Sequence, residues 1–317
     1  MARSNVTEIA GFILLGLTDS HVIRLYLFGM FFLIYLFTIL GNTTIIVIIT
    51  LVTQLYSPMY FFLRNLSFTE LCYISVTVPR MLRDFLQSDN FISFLGCATQ
   101  LYFFCFLGTT ECFLLATMAY DRYIAICQPL LYMSIMTKKQ CFKLSLGCVL
   151  AAMTLSLGQI TFVFSLPFCG LNIIDHFFCD ILPVVGLVCG DTYVNEMAIF
   201  MYGSLVIASP FVLILVSYVQ ILAAVFRIDS TVGRHKAFAT CGSHLMSVTL
   251  FYGTATVTYL RTKSNYTTGE AKLMSLLYSI FIPMLNPLIY SLRNSQVKNA
   301  IETLFVKLKE KKKWTAQ

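Results

Sequence analysis

Charge is what this sequence has least of. Asp, Glu, Lys and Arg make up 12% of its 317 residues, against 58% hydrophobic residues and a mean hydropathy of +0.78. Soluble domains carry about 25% charged residues, so this balance excludes an ordinary water-soluble domain and points to a membrane protein. No HExxH occurs, which removes the zinc-protease helix. Ser243 and His244 are neighbours, but consecutive helical residues point about 100° apart and make a poor catalytic dyad, so no enzyme is expected. The stretch ARSNVTE at 2–8 is polar and Arg24 precedes the first apolar run. A cleaved signal peptide is therefore not expected, and the first span acts as its own insertion signal. No repeat or low-complexity tract divides the chain, so a single domain over residues 1–317 is expected, without the repeated halves of many transporters.

What the chain does have is apolar length. A span needs roughly 20 mostly apolar residues, and seven segments supply it: 25–50, 58–86, 96–127, 141–166, 195–226, 237–261 and 272–292. The fourth and sixth read as the more polar. The expected fold is an all-α membrane protein, a seven-transmembrane helix bundle with a short amphipathic C-terminal helix. With the N-terminus outside, 15 of the 22 Lys and Arg fall on the cytoplasmic side, including Arg122, Lys138, Arg234, Lys236 and the run KLKEKKK at 307–313. Residues 1–24 are then extracellular, 25–292 form the bundle and 293–317 a cytoplasmic tail of a multi-pass plasma-membrane protein. The net charge of +7 suits anionic membrane lipid or an acidic partner, and no nucleic-acid partner is expected. Asn5-Val6-Thr7 is a glycosylation sequon on the outer side.

Of eleven cysteines, Cys97, Cys169, Cys179 and Cys189 fall on the outer side, where they can oxidise. Four cysteines allow three pairings, and the sequence leaves the choice open. Bridging a cysteine of the loop between spans four and five to Cys97 would pin that loop over the outer mouth. Zinc held by these cysteines with His176 does not fit, because spacings of ten and ten match no metal knuckle. No cofactor is expected.

Among the polar groups inside the spans, Asn42, Glu70, Glu111, Ser279, Asn286 and Tyr290 stand out, in spans one, two, three and seven. Ionisable groups at bilayer depth are costly and face the bundle interior. Two nearby carboxylates call for a shared cation, a proton or a satisfied hydrogen-bond network, so a sodium ion near Glu70 and Glu111 is one reading. Pro283 and Pro287 each remove a backbone donor, which loosens the last span. That span has no lysine between Lys272 and Lys298, which excludes a chromophore held as a Schiff base.

Seven motifs run in order: FILLGL at 12–17, GN at 41–42, PMYFFL at 58–63, MAYDRYIAIC at 118–127, SY at 217–218, KAFATCGSHL at 236–245 and PMLNPLIYSLRN at 283–294. With seven spans, they make the chain resemble a rhodopsin-like G-protein-coupled receptor, and more narrowly an olfactory (odorant) receptor of the tetrapod type. The resemblance implies a small volatile odorant bound in the outer half of the bundle and a stimulatory, olfactory-type G protein that raises cyclic AMP. A non-olfactory chemosensory receptor is the alternative, and a small-molecule transporter a more distant one. The implied ligand pocket is formed by Phe104, Cys105, Gly108 and Thr109, by Tyr202 and Val206, and by Tyr252, Ala255, Thr256 and Tyr259. Phe104 stands where amine receptors carry an aspartate, and none of the ten is acidic, so the ligand is expected to be mostly apolar.

Coupling and switching fall by resemblance to Asp121, Arg122, Tyr123, Tyr218, Lys236, His244, Asn286, Pro287 and Tyr290, with Asn42, Glu70 and Glu111 as the polar core. Arg122 is expected to lean on Asp121 when idle and to meet the G protein when active. No Asp or Glu occurs between Asp229 and Glu270, so span six offers Arg122 no carboxylate, and Tyr218 and His244 are left as the hydrogen-bonding restraint. The expected disulfides are Cys97–Cys179 and Cys169–Cys189. Two positions depart from the pattern: Val149 stands where span four commonly has tryptophan, the only one being Trp314, and Leu131 where histidine is common.

Overall fold

A computed structural model describes residues 10–87, 89–168, 172–189, 193–227, 229–259, 268–293 and 297–300, without the side chains at 196, 235–237, 239, 240, 259, 268, 292 and 293. Its frame is seven long helices: α1 His21–Leu51, α2 Pro58–Leu86, α3 Phe94–Cys127, α4 Lys138–Phe164, α5 Tyr193–Phe226, α6 Thr231–Tyr259, and α7, which runs through Thr268–Leu276, a π turn at Leu277–Phe281 and Ile282–Arg293. Local chemistry sets several starts. Ser93 Oγ accepts from Gly96 N and Thr137 Oγ1 from Gln140 N, capping α3 and α4, and Pro58 opens α2 where its missing N–H costs nothing. Residues 297–300 are helical with Val297 and Ala300 buried and their two neighbours exposed, the beginning of an amphipathic pattern.

Helices α1, α3, α4, α5 and α7 are long and apolar enough to cross a membrane by length and composition. The fourth, expected among the more polar, is one of these five; the equally long helices outside the set are α2 and α6. The reason is visible in their buried faces: α2 turns Ser67, Thr69, Glu70 and Thr77 inward, and α6 turns Ser243, His244, Ser247 and Thr258 inward. Polarity here serves the bundle interior.

Helix α3 is the hub, packed against α2, α4, α5 and α6, while α1 packs on α2 and α7. Gly41 permits one close approach: a Cβ there would sit 3.0 Å from Pro287 Cβ, so α1 and α7 meet where their backbones can nearly touch. At one end of the bundle three short strands form a sheet in the order β2-β1-β3, with β1 Gly11–Leu14, β2 Phe91–Ser93 and β3 Ile173–Ile174. β1 pairs antiparallel with β2 (Phe12 opposite Ile92) and parallel with β3 (Leu14 opposite Ile174). Gly11 lies so close to the Ile92 carbonyl that any Cβ would collide with it. Beneath the sheet Phe12, Leu14, Ile92, Leu101, Val163 and Ile174 form their own apolar cluster.

Candidate functional site

The end of the bundle under the sheet is closed by the loop after α4. Cys97 at the start of α3 is bonded to Cys179, with Cα atoms 5.5 Å apart, and Cys179 N donates to Gln100 Oε1 at 3.1 Å. Cys189 is also disulfide-bonded; its expected partner Cys169 lies outside the described residues, as does Asn5. The bridge drives His176, Phe177 and Phe178 into the bundle, where all three are buried. Phe178 meets Phe104 at 4.8 Å between ring centroids, and Phe104 also stacks on Tyr73 of α2 at 4.9 Å and faces Tyr278 of α7 at 5.9 Å. A Cβ on Gly108 would touch the Tyr73 ring at 3.7 Å, so α2 contributes to a wall expected from α3, α5 and α6 alone.

The other expected ligand positions divide. Cys105, Thr109, Tyr202 and Val206 are half-buried and Ala255 is buried. Tyr252 is buried and donates its hydroxyl to Cys112 O at 3.2 Å, tying α6 to α3, with its ring 5.0 Å from Phe211. One position requires correction, and one is constrained. Thr256 lies on the exposed face of α6 with Gly253 and Val257, because the inward face follows Tyr252, Ala255 and Thr258. Tyr202 commits its hydroxyl to the Leu155 carbonyl of α4. The side chain of Tyr259 lies outside the described residues.

Sequence reasoning missed a polar cluster joining the loop to α7. Asp180 is 3% exposed; its Oδ2 accepts from the Tyr278 hydroxyl at 2.7 Å and from Ser275 Oγ at 3.4 Å, and His176 Nε2 lies 3.1 Å from Ser275 Oγ. The available signal was an acidic residue inside an otherwise apolar stretch, FFCDILPVV.

Deeper in the bundle, Asn42, Glu70, Glu111, Asn286 and Tyr290 are each at most 1% exposed. Asn42 Nδ2 donates to Pro283 O at 3.3 Å, the carbonyl that Pro287, lacking an N–H, cannot serve. Asn286 donates to Glu70 Oε1 and accepts from Ser247 Oγ at 2.9 Å. Glu70 and Glu111 feel each other's charge, while Glu111 Oε1 and Asn42 Oδ1 are buried without a hydrogen-bond partner among the described residues. These hard oxygens fit a proton or a small hard cation; no group of three or more His, Cys, Asp or Glu able to hold a metal occurs among the described residues.

At the opposite end, Asp121 and Arg122 are 1% and 9% exposed. The expected Asp121–Arg122 ion pair is absent among the described residues: Asp121 Oδ1 instead accepts from the Tyr132 hydroxyl at 3.0 Å. Burial and the Asp121 carboxylate push the Tyr132 pKa up, so that hydroxyl stays a donor. Adjacent helical residues point apart, and the Arg122 charge, while still felt by Asp121, also acts on Tyr218, Cys241, His244 and Tyr290. Its Nε has no hydrogen-bond partner among the described residues. Tyr123 is half-buried, Pro287 is buried, and the Lys236 side chain lies outside the described residues. His244, fully buried, has Nδ1 2.7 Å from the Tyr218 hydroxyl and Nε2 3.0 Å from Leu115 O. A carbonyl only accepts, so Nε2 carries the proton, and in the neutral ring Nδ1 accepts from Tyr218. One imidazole thus clamps α3, α5 and α6 together.

The arrangement has relatives. A protein-family model described as "Olfactory receptor" matches residues 31–308. The chain belongs to the olfactory receptor family. It is 50% identical to human olfactory receptor 10A5 over 97% of this chain and 98% of that one, and 48% identical to human olfactory receptor 10A7 over 95% and 96%. Mouse olfactory receptor 5AR1 is 47% identical over 97% and 99%. Squid rhodopsin shares the fold, with a TM-score of 0.71 at 17% identity over 91% of this chain and 82% of that one. This olfactory receptor is accordingly a multi-pass membrane protein, an odorant-sensing G-protein-coupled receptor and not an enzyme.

The receptor's closing loop carries a built-in acid sensitivity. Burial holds the His176 pKa below its ordinary 6.5; Lys272 pushes the same way, while Asp180 and Asp175 pull against it. The unfolded loop binds a proton below about 6.5 that the docked loop refuses, so docking is fully stable above that pH and weakens as pH falls through it. The melting temperature of the solubilised receptor is expected to drop on acidification through 6.5, and His176→Gln to flatten that slope. An unchanged slope in the variant would assign the acid sensitivity to other groups.

Proposed function

We propose that this olfactory receptor sits in the plasma membrane with its N-terminus outside, binds a small, mostly apolar volatile molecule beneath the disulfide-pinned loop, and activates a stimulatory G protein that raises cyclic AMP. One observation carries the reading: a loop fastened to α3 by Cys97–Cys179 closes over an aromatic cluster at one end, while a buried arginine waits at the other. The basic excess on the arginine side supports that orientation and contact with anionic lipid, and the whole chain works as one unit. Ligand contacts are assigned to Phe104, Cys105, Gly108, Thr109, Val206, Tyr252 and Ala255. Glu70 and Glu111 would hold a sodium ion or a proton, which offsets their mutual repulsion. A panel of volatile compounds in a cyclic AMP reporter cell tests the proposal; silence across the panel, with the receptor at the surface, refutes it.

The His244 clamp supplies the restraint that no carboxylate of α6 provides. Each of its two hydrogen bonds contributes about 1 kcal/mol, so His244→Ala is expected to raise ligand-free cyclic AMP output roughly 5- to 30-fold at matched surface expression. Unchanged basal output would show that the clamp restrains nothing. Lys236→Ala is expected to weaken coupling more than ligand affinity.

A further inference from the structure

We propose that Asp180, with Ser275 and Tyr278, is the polar end of the ligand chamber and selects odorants that carry a hydroxyl group. The inference rests on the reading that the ligand lies under the loop, and it names the ligand class. Asp180 follows Cys179 directly, so the bridge to Cys97 fixes its place at the roof of the bundle. Its charge reaches Cys105, and its hydrogen-bond partner Tyr278 faces Phe104, so the carboxylate is tied to both chamber residues, to Phe104 through Tyr278. The three polar residues are 2–5% exposed, and Asp180 has no ion-pair partner among the described residues. A buried carboxylate without a counter-charge is costly unless hydrogen bonds surround it.

Those bonds leave a defined gap. A carboxylate offers about four acceptor positions. On Oδ2, Tyr278 and Ser275 occupy two; on Oδ1, the backbone N–H of Ile181 occupies one at 2.7 Å. Among the described residues, one position on Oδ1 remains. A hydroxyl brings one donor to it and leaves an apolar body for Phe104 and Phe178. An ammonium brings three donors into a recess whose aromatic walls satisfy none of the others, and it must shed its hydration to arrive. An ether or aldehyde would set lone pairs against lone pairs. The chemistry therefore favours alcohols and phenols.

The test compares an alcohol, its methyl ether and the primary amine on each of several carbon skeletons, using the full-length receptor in a cyclic AMP reporter cell with surface expression measured in parallel. A single charge-assisted hydrogen bond predicts alcohols about tenfold or more potent than their ethers in the wild type. In Asp180→Asn and Tyr278→Phe, alcohol potency should fall to within about threefold of the ether, and Asp180→Glu should restore part of the gap. Ser275→Ala is the milder variant should the Asp180 substitutions fail to reach the surface. Equal potency of alcohol and ether in the wild type, preference for the amine, or parallel loss of both ligands in the variants overturns the proposal while leaving the odorant reading standing. Silence to every volatile compound overturns both.

Discussion

Replacing Cys179 by serine will remove most of the folded receptor from the cell surface. The bridge to Cys97 spans 82 residues of sequence, and closing a loop of that length is worth about 4.5 kcal/mol in the chain-entropy model. That figure is an upper one, because α3 and α4 remain threaded through the bilayer even when the packing is lost. The consequence still exceeds any single hydrogen bond in the molecule. Cys179 also delivers Phe178 onto Phe104 and Asp180 onto Tyr278, so releasing it undoes the roof together with the bridge. The measurement is surface receptor per cell for Cys97→Ser, Cys179→Ser and the double variant. Equal loss in all three is expected, because either single change already breaks the same bond. A single variant that folds and responds normally would show that the aromatic contacts alone hold the loop.

Arg122→Ala will silence signalling in a receptor that still folds and still binds its odorant. Losing one side of a buried, charge-assisted contact costs about 2–5 kcal/mol, so G-protein activation should fall by about a hundredfold or more. The geometry argues against a mere structural role. Asp121 is engaged by Tyr132, and Arg122 Nε has no hydrogen-bond partner among the described residues, so at least this donor of the guanidinium stays free for a docking partner. The discriminating measurement sets odorant binding beside nucleotide exchange on the G protein. Loss of binding along with exchange would place Arg122 in the scaffold.

Seven spans were legible because a bilayer demands length and apolarity together, and both are properties of local sequence. Their limits were less so. The sixth was expected from 237 and begins at Thr231, since backbone hydrogen bonding carries a helix on past the apolar run through Gly233 and Arg234. The polar core was equally legible, because Asn42, Glu70 and Glu111 stand out against their surroundings. Asp180 did not, since nothing within ten residues of it reveals that α7, ninety-odd residues later, turns Ser275 and Tyr278 towards it. The three-stranded sheet escaped for the same reason: Gly11–Leu14 finds both its partners across long stretches of chain. The Asp121–Arg122 pair differs in geometry from the direct contact expected, although the two charges still act on each other. Adjacency suggested a contact, but neighbouring helical residues diverge, and Tyr132 took the carboxylate.

The π turn at Leu277–Phe281 gives α7 an unusual relation to chain length. A π turn holds one residue more than an α turn, yet the helix on either side keeps its facing. Shortening any other part of the bundle's helices by one residue would swing everything beyond the cut through about 100°. Within 277–281 the same deletion can be absorbed as the turn tightens to α. Asn286 and Tyr290 then keep their aspect towards the core relative to Ser275 on the turn before. The seventh helix thus contains one place where the amount of chain is negotiable and its direction is not.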